Sequence, residues 1–248
     1  DLNPEKTISY ELGFKYQIND FSTLDATFYC RDIRDLTGTR TDEIAIFGGA
    51  STYSKYENSD FAFVKGLVLS YKKDFSNGFN ASLDYTFQQA KGTASNPFDA
   101  YNSAIANSYP EIYLIPLNWD QRHTLNATIY YDCDGWGIGF IGKFGSGQPY
   151  TPNMNMNFSN LINNSEYKPN ILNLDMRTYF NIRKFINNFP LNAKLYFNVL
   201  NVFDHLNQIN VYNDTGVADR TLYEQEALSQ NTDQIINSID EWFNNETF

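Results

Sequence analysis

Any chemistry in this chain has to come from a short roster of side chains. His123 and His205 are its two histidines, each with an aspartate close by, Asp120 three residues before the first and Asp204 next to the second. A carboxylate that orients an imidazole makes a general base, so these Asp-His pairs are the candidate catalytic groups. A structural role is the weightier reading, because both pairs sit inside longer motifs described below. Cys30 and Cys133 have neither metal-ligand nor redox spacing. The sequence holds no Gly-x-Ser-x-Gly, HExxH, P-loop or EF-hand pattern. The glycine-rich run Gly142–Gly147 closes a strand pattern and opens no helix, so it cradles no phosphate. The chain therefore reads as a non-enzyme without metal or cofactor.

The other candidates bind. Tyr109, Tyr113, Trp119 and Tyr150 fall in loop-like stretches. They suit stacking against a sugar or an aromatic chelator, or a place at a membrane rim. Asp25, Asp84, Lys143 and Arg177 occupy polar positions of alternating segments. There they would line a polar interior, solvating it or bonding whatever fills it.

Composition narrows the setting. Twenty-nine acidic against eighteen basic residues give a net charge of −11, without the basic cluster that nucleic-acid binding requires. Aromatics make up 17%, with 20 Phe and 18 Tyr but only 3 Trp, a bias toward strand formers. Mean hydropathy is −0.47, and no stretch approaches the roughly 20 apolar residues of a spanning helix. A membrane β-strand escapes that test, because it alternates apolar with polar residues.

Alternation is what the chain shows. Ile8, Tyr10, Leu12, Phe14, Tyr16 and Ile18 interleave with Ser9, Glu11, Gly13, Lys15 and Gln17. Eleven residues of unbroken period two match the roughly 9–11 residues of a transmembrane strand and exceed the roughly 5–6 of a soluble one. After Asn77-Gly78, a strong hairpin signal, Phe79, Ala81, Leu83, Tyr85 and Phe87 alternate with Asn80, Ser82, Asp84, Thr86 and Gln88. The expected strands are 7–18, 21–31, 62–74, 79–89, 122–131, 136–145, 171–183 and 191–202. Connections near Asn19, Asn77, Asp134 and Asn187 read as short. Those over 36–60, 89–121, 145–170 and 203–248 read as long. Tight turns on one side and long loops on the other are the plan of an outer-membrane barrel, with the tight side periplasmic and the long side extracellular. That plan separates Cys30 from Cys133 by on the order of 25 Å, which predicts two free thiols. Ile235, Ile236, Ile239, Trp242 and Phe243 recur at helical spacing and predict a short helix near the C-terminus.

Several segments carry a family likeness. Asn3-Pro4-Glu5-Lys6-Thr7 with Tyr10-Glu11-Leu12-Gly13, and Phe28-Tyr29 with Asp32-Ile33-Arg34-Asp35-Leu36, come first. Lys65-Gly66-Leu67, Pro116-Leu117-Asn118-Trp119-Asp120-Gln121-Arg122-His123, Gly147-Gln148-Pro149-Tyr150 and Asn198-Val199-Leu200-Asn201-Val202-Phe203-Asp204 follow. Their ordered series resembles the barrel of TonB-dependent receptors, although Val68 stands where that family usually has Glu. The resemblance implies an integral protein of the bacterial outer membrane that takes up a scarce nutrient: a siderophore, vitamin, oligosaccharide or peptide. It implies a 22-stranded barrel around a plug, energised by the inner-membrane TonB system. Residues 1–248 then form a single partial barrel domain of about eight strands, without plug or TonB box. The expected partners are outer-membrane lipid, the plug, the remaining strands and other envelope subunits. The alternative is a structural or scaffold barrel subunit in a larger outer-membrane assembly.

Overall fold

The computed structural model describes residues 2–39, 44–46, 51–94, 97–98, 113–152, 163–186 and 190–222. They form antiparallel β-structure throughout, with one helical turn. The strands are β1 (Lys6–Asn19), β2 (Ser22–Thr39), β3 (Ile44–Ile46), β4 (Ser51–Tyr53), β5 (Tyr56–Ser76), β6 (Phe79–Gly92) and β7 (Ile115–Pro116). There follow β8 (His123–Cys133), β9 (Trp136–Gly145), β10 (Pro149–Tyr150), β11 (Glu166–Tyr167), β12 (Ile171–Asn181) and β13 (Lys194–Val199). The main sheet runs β1-β2-β5-β6-β8-β9-β12-β13, with β7 added to β6 and with β3-β4 and β10-β11 as separate small hairpins. Among the described residues β1 and β13 do not pair, so the sheet is an open wall.

At one end the strands reverse tightly. Asn19 pairs with Ser22, and the Asn19 side chain accepts the Phe21 N–H at 3.0 Å. Asn77 and Gly78 both take positive φ (54° and 79°), the twist that a two-residue hairpin demands. Gly135 does the same at 99° between Cys133 and Trp136. The fourth reversal departs from expectation. The connection expected to be short near Asn187 runs from the end of β12 at Asn181 to the start of β13 at Lys194 and opens with helix α1 (Ile182–Phe185), residues 187–189 lying outside the described ones. Asn181 caps that turn, so β12 stops before Arg183, and β13 is shorter than the 191–202 expected. At the opposite end the strands outrun their expected limits. β2 continues to Thr39 through bulges around Asp35 (φ 58°), and β5 begins at Tyr56. The expected helix over Ile235–Phe243 lies outside the described residues. Residues 203–221 run in turns and bends.

Cross-strand partners share a face, so the register sorts the side chains. One face carries rows such as Leu12–Phe28–Leu67–Phe87 and Phe14–Ala26–Leu69–Tyr85–Leu125–Phe144–Leu172. These apolar groups are uncovered: Leu12 is 73% exposed, Phe14 63% and Tyr10 68%. A soluble monomer does not leave so large a contiguous apolar face to water. On β1 the apolar run Ile8–Ile18 extends roughly 34 Å along the strand, or about 26 Å high at a tilt of about 40°. That height fits an apolar membrane band of about 25 Å.

The band also climbs across the sheet. Gly13, its centre on β1, shares a register row with Thr27, Val68, Thr86, Thr124, Gly145 and Ile171. On β12 the positions of this face, Leu172, Leu174, Met176, Thr178 and Phe180, apolar except for Thr178, centre on Met176, five residues past Ile171. An offset of roughly 17 Å over six strand spacings of about 4.8 Å is an angle of about 30°. Strands that tilt through a flat slab produce such a drift, and membrane barrel strands tilt by roughly 35–45°.

Candidate functional site

The opposite face is polar through its middle. Lys15, Asp25, Ser70, Asp84, Asn126, Lys143 and Asn173 form one register row, so three of the four charged residues singled out above share it, each two strands from the next. The fourth, Arg177, lies nearer the tight turns, opposite Gly139 and Asn198. Asp25 and Asp84 accept weak bonds from Thr27 and Ser82 hydroxyls at 3.4 and 3.3 Å. Among the described residues no ion pair joins Lys143 or Arg177 to a carboxylate. Three tyrosines on this face stand directly opposite glycines, Tyr29 on Gly66, Tyr130 on Gly139 and Tyr179 on Gly137. A Cβ on Gly66 would come within 2.4 Å of the Tyr29 ring, so that ring lies flat on the wall. Near the tight turns Tyr179 donates to Asp132 at 2.7 Å, with the Lys194 ammonium 5.0 Å from its ring.

Toward the long loops the same face changes character. Ala62, Val64, Ala90 and Leu117 form a small buried core, with Tyr29, Ile33 and Leu36 packed on it. A strap over 113–122 crosses it and leaves the ladder between Leu117 and Arg122. After Leu117 the main chain departs from β6, so the Ala90 N–H needs another acceptor. Asp120, 0% exposed, supplies it: Oδ1 accepts from Ala90 at 2.7 Å and Oδ2 from Arg122 Nε at 2.8 Å. The Leu117 N–H closes onto the Ala90 carbonyl at 3.1 Å. Arg122 also donates to the Tyr167 hydroxyl at 3.0 Å, which ties the strap to β11. The Asp120 hydrogen bond holds the guanidinium above its ordinary pKa, so it stays charged throughout.

This geometry dissolves the candidate Asp-His pairs. Asp120 is spent on Ala90 and Arg122, while His123 sits opposite Phe87 on the apolar face, bonded through Nδ1 to the Tyr85 hydroxyl at 2.8 Å. His205 is held by Asn201 through backbone bonds at 3.1 and 3.2 Å. Cys30 and Cys133 are free thiols at opposite ends of the sheet.

A cleft of about 430 Å³ opens at the loop end, walled by Asn118, Gln148, Tyr150, Asn164, Lys168 and Asn213 among others. Asn118 arrives on the strap, Gln148 and Tyr150 on β10 and its approach, and Asn213 on the segment after β13. That last segment is pinned by Asn207, whose side-chain amide bonds both the N–H and the carbonyl of Leu172, at 2.8 and 3.0 Å, as a strand would. Burial and the carboxylates of Glu166 and Asp214 raise the Tyr150 phenol, so it stays neutral and can both donate and accept. Of the loop aromatics, Tyr150 alone lines this cleft among the described residues. Trp119 is 41% exposed beside it in sequence, Tyr113 is 70% exposed, and Tyr109 lies outside the described residues. Gln148 and Tyr150 were legible through their motif. Asn164 and Lys168 carried no pattern that would have marked them.

The larger depressions lie elsewhere. One of about 540 Å³ is on the apolar face around Cys30, and one of about 550 Å³ lies beside Asp32 and Asn58. The family model of the TonB dependent receptor-like β-barrel matches residues 1–202. No curated protein matches the chain. Among solved structures, the outer membrane transporter YddB from Escherichia coli superposes with a TM-score of 0.61 at 15% identity, over 88% of this chain and 31% of that one. The ferric-catecholate import receptor Fiu of E. coli K12, in its closed form, gives 0.52 at 16% identity, over 82% and 24%. The chain thus spans less than a third of either relative, and the likeness concerns fold.

Proposed function

Because the chain belongs to the TonB-dependent receptor β-barrel family, we propose that it is part of the wall of an outer-membrane receptor that imports a scarce nutrient. The observation that carries this reading is the two-faced sheet. An apolar band about 26 Å high, drifting at about 30° across the strands, backs onto a polar face that the described chain leaves uncovered in its middle. The apolar face meets lipid. The polar face, with Asp25, Asp84, Lys143 and Arg177, lines the lumen and meets the plug and its water. The tight turns are periplasmic and the long loops extracellular, so the loop-end cleft around Tyr150 is where ligand first docks. Amide groups, a neutral phenol and one lysine suit a polyhydroxylated or amide-bearing ligand. Energy for release comes from the inner membrane through the TonB system.

The test begins with the intact mass of the protein from purified outer membranes. A mass about three times the 28.6 kDa of this chain is expected, given the 31% share of YddB. Uptake of a ferric siderophore, cobalamin, an oligosaccharide and a peptide is then compared in cells with and without the TonB system. TonB-dependent uptake of one of them, lost on deletion of this protein, supports the proposal. A mass near 28.6 kDa, or recovery in a stable complex without any TonB-dependent uptake, replaces it with a scaffold barrel.

A further inference from the structure

The side chains of the loop-end cleft divide into those that build it and those left for a ligand. Asn164, 7% exposed, is a builder. Its amide donates to the Pro116 carbonyl at 2.8 Å and its N–H to the Thr151 hydroxyl at 3.0 Å, which ties the strap to the chain just past β10. Lys168 is another: its N–H bonds the Gln148 carbonyl at 2.9 Å, and its ammonium reaches the Ile209 carbonyl at 3.1 Å. Gly216, at φ 71°, packs on the Tyr150 hydroxyl, where a side chain would not fit. Among the described residues, no hydrogen bond engages the side chains of Gln148, Asn210 or Asn213. Those three carboxamides and Tyr150 are what the cleft offers.

Charge narrows what they can hold. Lys168 is the one charged residue in the described wall, and it is spent on Ile209. Arg122, which reaches β11, is paired with Asp120. The carboxylates of Glu166 and Asp214 are near enough to raise the Tyr150 phenol. One ammonium against two carboxylates leaves the surroundings negative, so an anionic chelate is repelled. A cation is not matched either, because neither carboxylate lines the cleft and Asp214 is bonded to Thr221 and Leu222. A peptide brings charged ends that the cleft leaves unpaired, and its apolar side chains would find only Pro149, Val211 and the Tyr150 ring. A carboxamide sets a donor beside an acceptor, and a hydroxyl both donates and accepts, so these amides suit adjacent hydroxyls. The phenol ring suits the apolar face of a sugar.

We infer that the ligand of this cleft is an uncharged oligosaccharide, with one sugar ring on Tyr150 and its hydroxyls on Gln148, Asn210 and Asn213. The inference deepens the receptor reading above and rests on it. A volume of about 430 Å³ lies toward the low end of the roughly 300–1,000 Å³ usual for ligand sites, so the cleft grips one end of a longer chain.

The full-length protein, purified from outer membranes in detergent, is titrated calorimetrically with maltohexaose, cellohexaose, xylohexaose and mannohexaose. Hexagalacturonate, a ferric tris-catecholate and penta-alanine serve as the charged and peptidic counterparts. A neutral sugar should bind at least about tenfold more tightly than any of these, with the same affinity at low and high salt because no ion pair forms. On that sugar, Tyr150→Ala should weaken binding about tenfold, and Gln148→Ala or Asn213→Ala about fivefold each. Heat-dependent gel mobility shows that each variant keeps its barrel. Tighter binding of a counterpart, no binding of any neutral sugar, or native affinity in all three variants overturns the glycan assignment and leaves the transporter reading standing. A neutral sugar bound through these residues but taken up equally with and without the TonB system overturns the transporter reading and keeps the glycan site.

Discussion

Two stretches of one face, a few residues apart along β5 and β6, are built for opposite neighbours. Around Ala62, Val64 and Ala90 the wall is apolar, and the chain covers it with its own strap, whose buried Asp120 replaces the missing strand carbonyl. Around Ser70 and Asp84 the wall is polar, and Asp84 accepts a weak bond from Ser82 of its own strand. An apolar inner surface demands cover from its own chain, since neither water nor a polar plug would serve it. A polar inner surface can wait for a partner. Under the proposed function, the border between the two is where the lumen ends and the extracellular loops begin.

The largest effect that would sharpen this contrast is at Asp120. Asp120→Ala strands the Ala90 N–H and frees Arg122 from its carboxylate, at a cost of about 3–5 kcal/mol. Asp120→Asn keeps an acceptor for Ala90 and should lose less. Chemical denaturation of the full-length protein in detergent measures both. Substitution at Asp84, on the bare stretch, should cost far less; an equal loss would mean that the two stretches are not different in kind.

The outer and inner faces can be set against each other on a single strand. Phe14→Arg puts a cation in the apolar band and should cost about 2–4 kcal/mol in folding into bilayers, with Gln17→Arg near neutral on the polar face. Similar penalties at the two positions would break the assignment of lipid and lumen. A smaller effect, about 1–3 kcal/mol, is expected for Gly66→Ala. Its new methyl meets the Tyr29 ring and the Phe87 carbonyl, and the carbonyl cannot step aside. Tyr29→Ala in the same background should recover part of the loss by vacating the ring's position.

These contrasts also show what the sequence made legible. Period-two alternation is written residue by residue, so both faces, the Asn77-Gly78 reversal and the polar positions of Asp25, Asp84 and Lys143 are legible in the sequence, whereas their common row comes only with the register. The early end of β12 was not legible, because Asn181 caps a helical turn through a local hydrogen bond that competes with strand continuation. The cleft was only half readable. Tyr150 and Gln148 sit in a motif, whereas Asn164 and Lys168 reach it through loop packing that no spacing encodes. Asp120 was read beside His123 because they are close in sequence. The strap leaves the ladder before β8 begins, so Asp120 is buried as a substitute for backbone while His123, on β8, lies on the apolar face.

The smallest effect belongs to the loop end, in the segment that borders the cleft. Asp214 accepts from the Thr221 hydroxyl at 2.5 Å and the Leu222 N–H at 2.7 Å, and these bonds hold its carboxyl below the usual carboxylate range. A depressed folded pKa contributes stability that is present above the unfolded carboxylate value of about 3.9 and is lost as pH falls through the lower folded value. The 214–222 closure should therefore hold unchanged from neutral pH to about 5 and loosen only in stronger acid. Pepsin cleavage within this segment, compared at each pH with Asp214→Asn, reads the difference directly. The amide keeps an acceptor oxygen but does not titrate, so its profile should stay flat where the native one rises. The buried Asp120–Arg122 strap, tied down by backbone, should resist cleavage over the same range. If both segments opened together, the loop end would be one cooperative unit, and the strap would not be the fixed cover that the contrast requires.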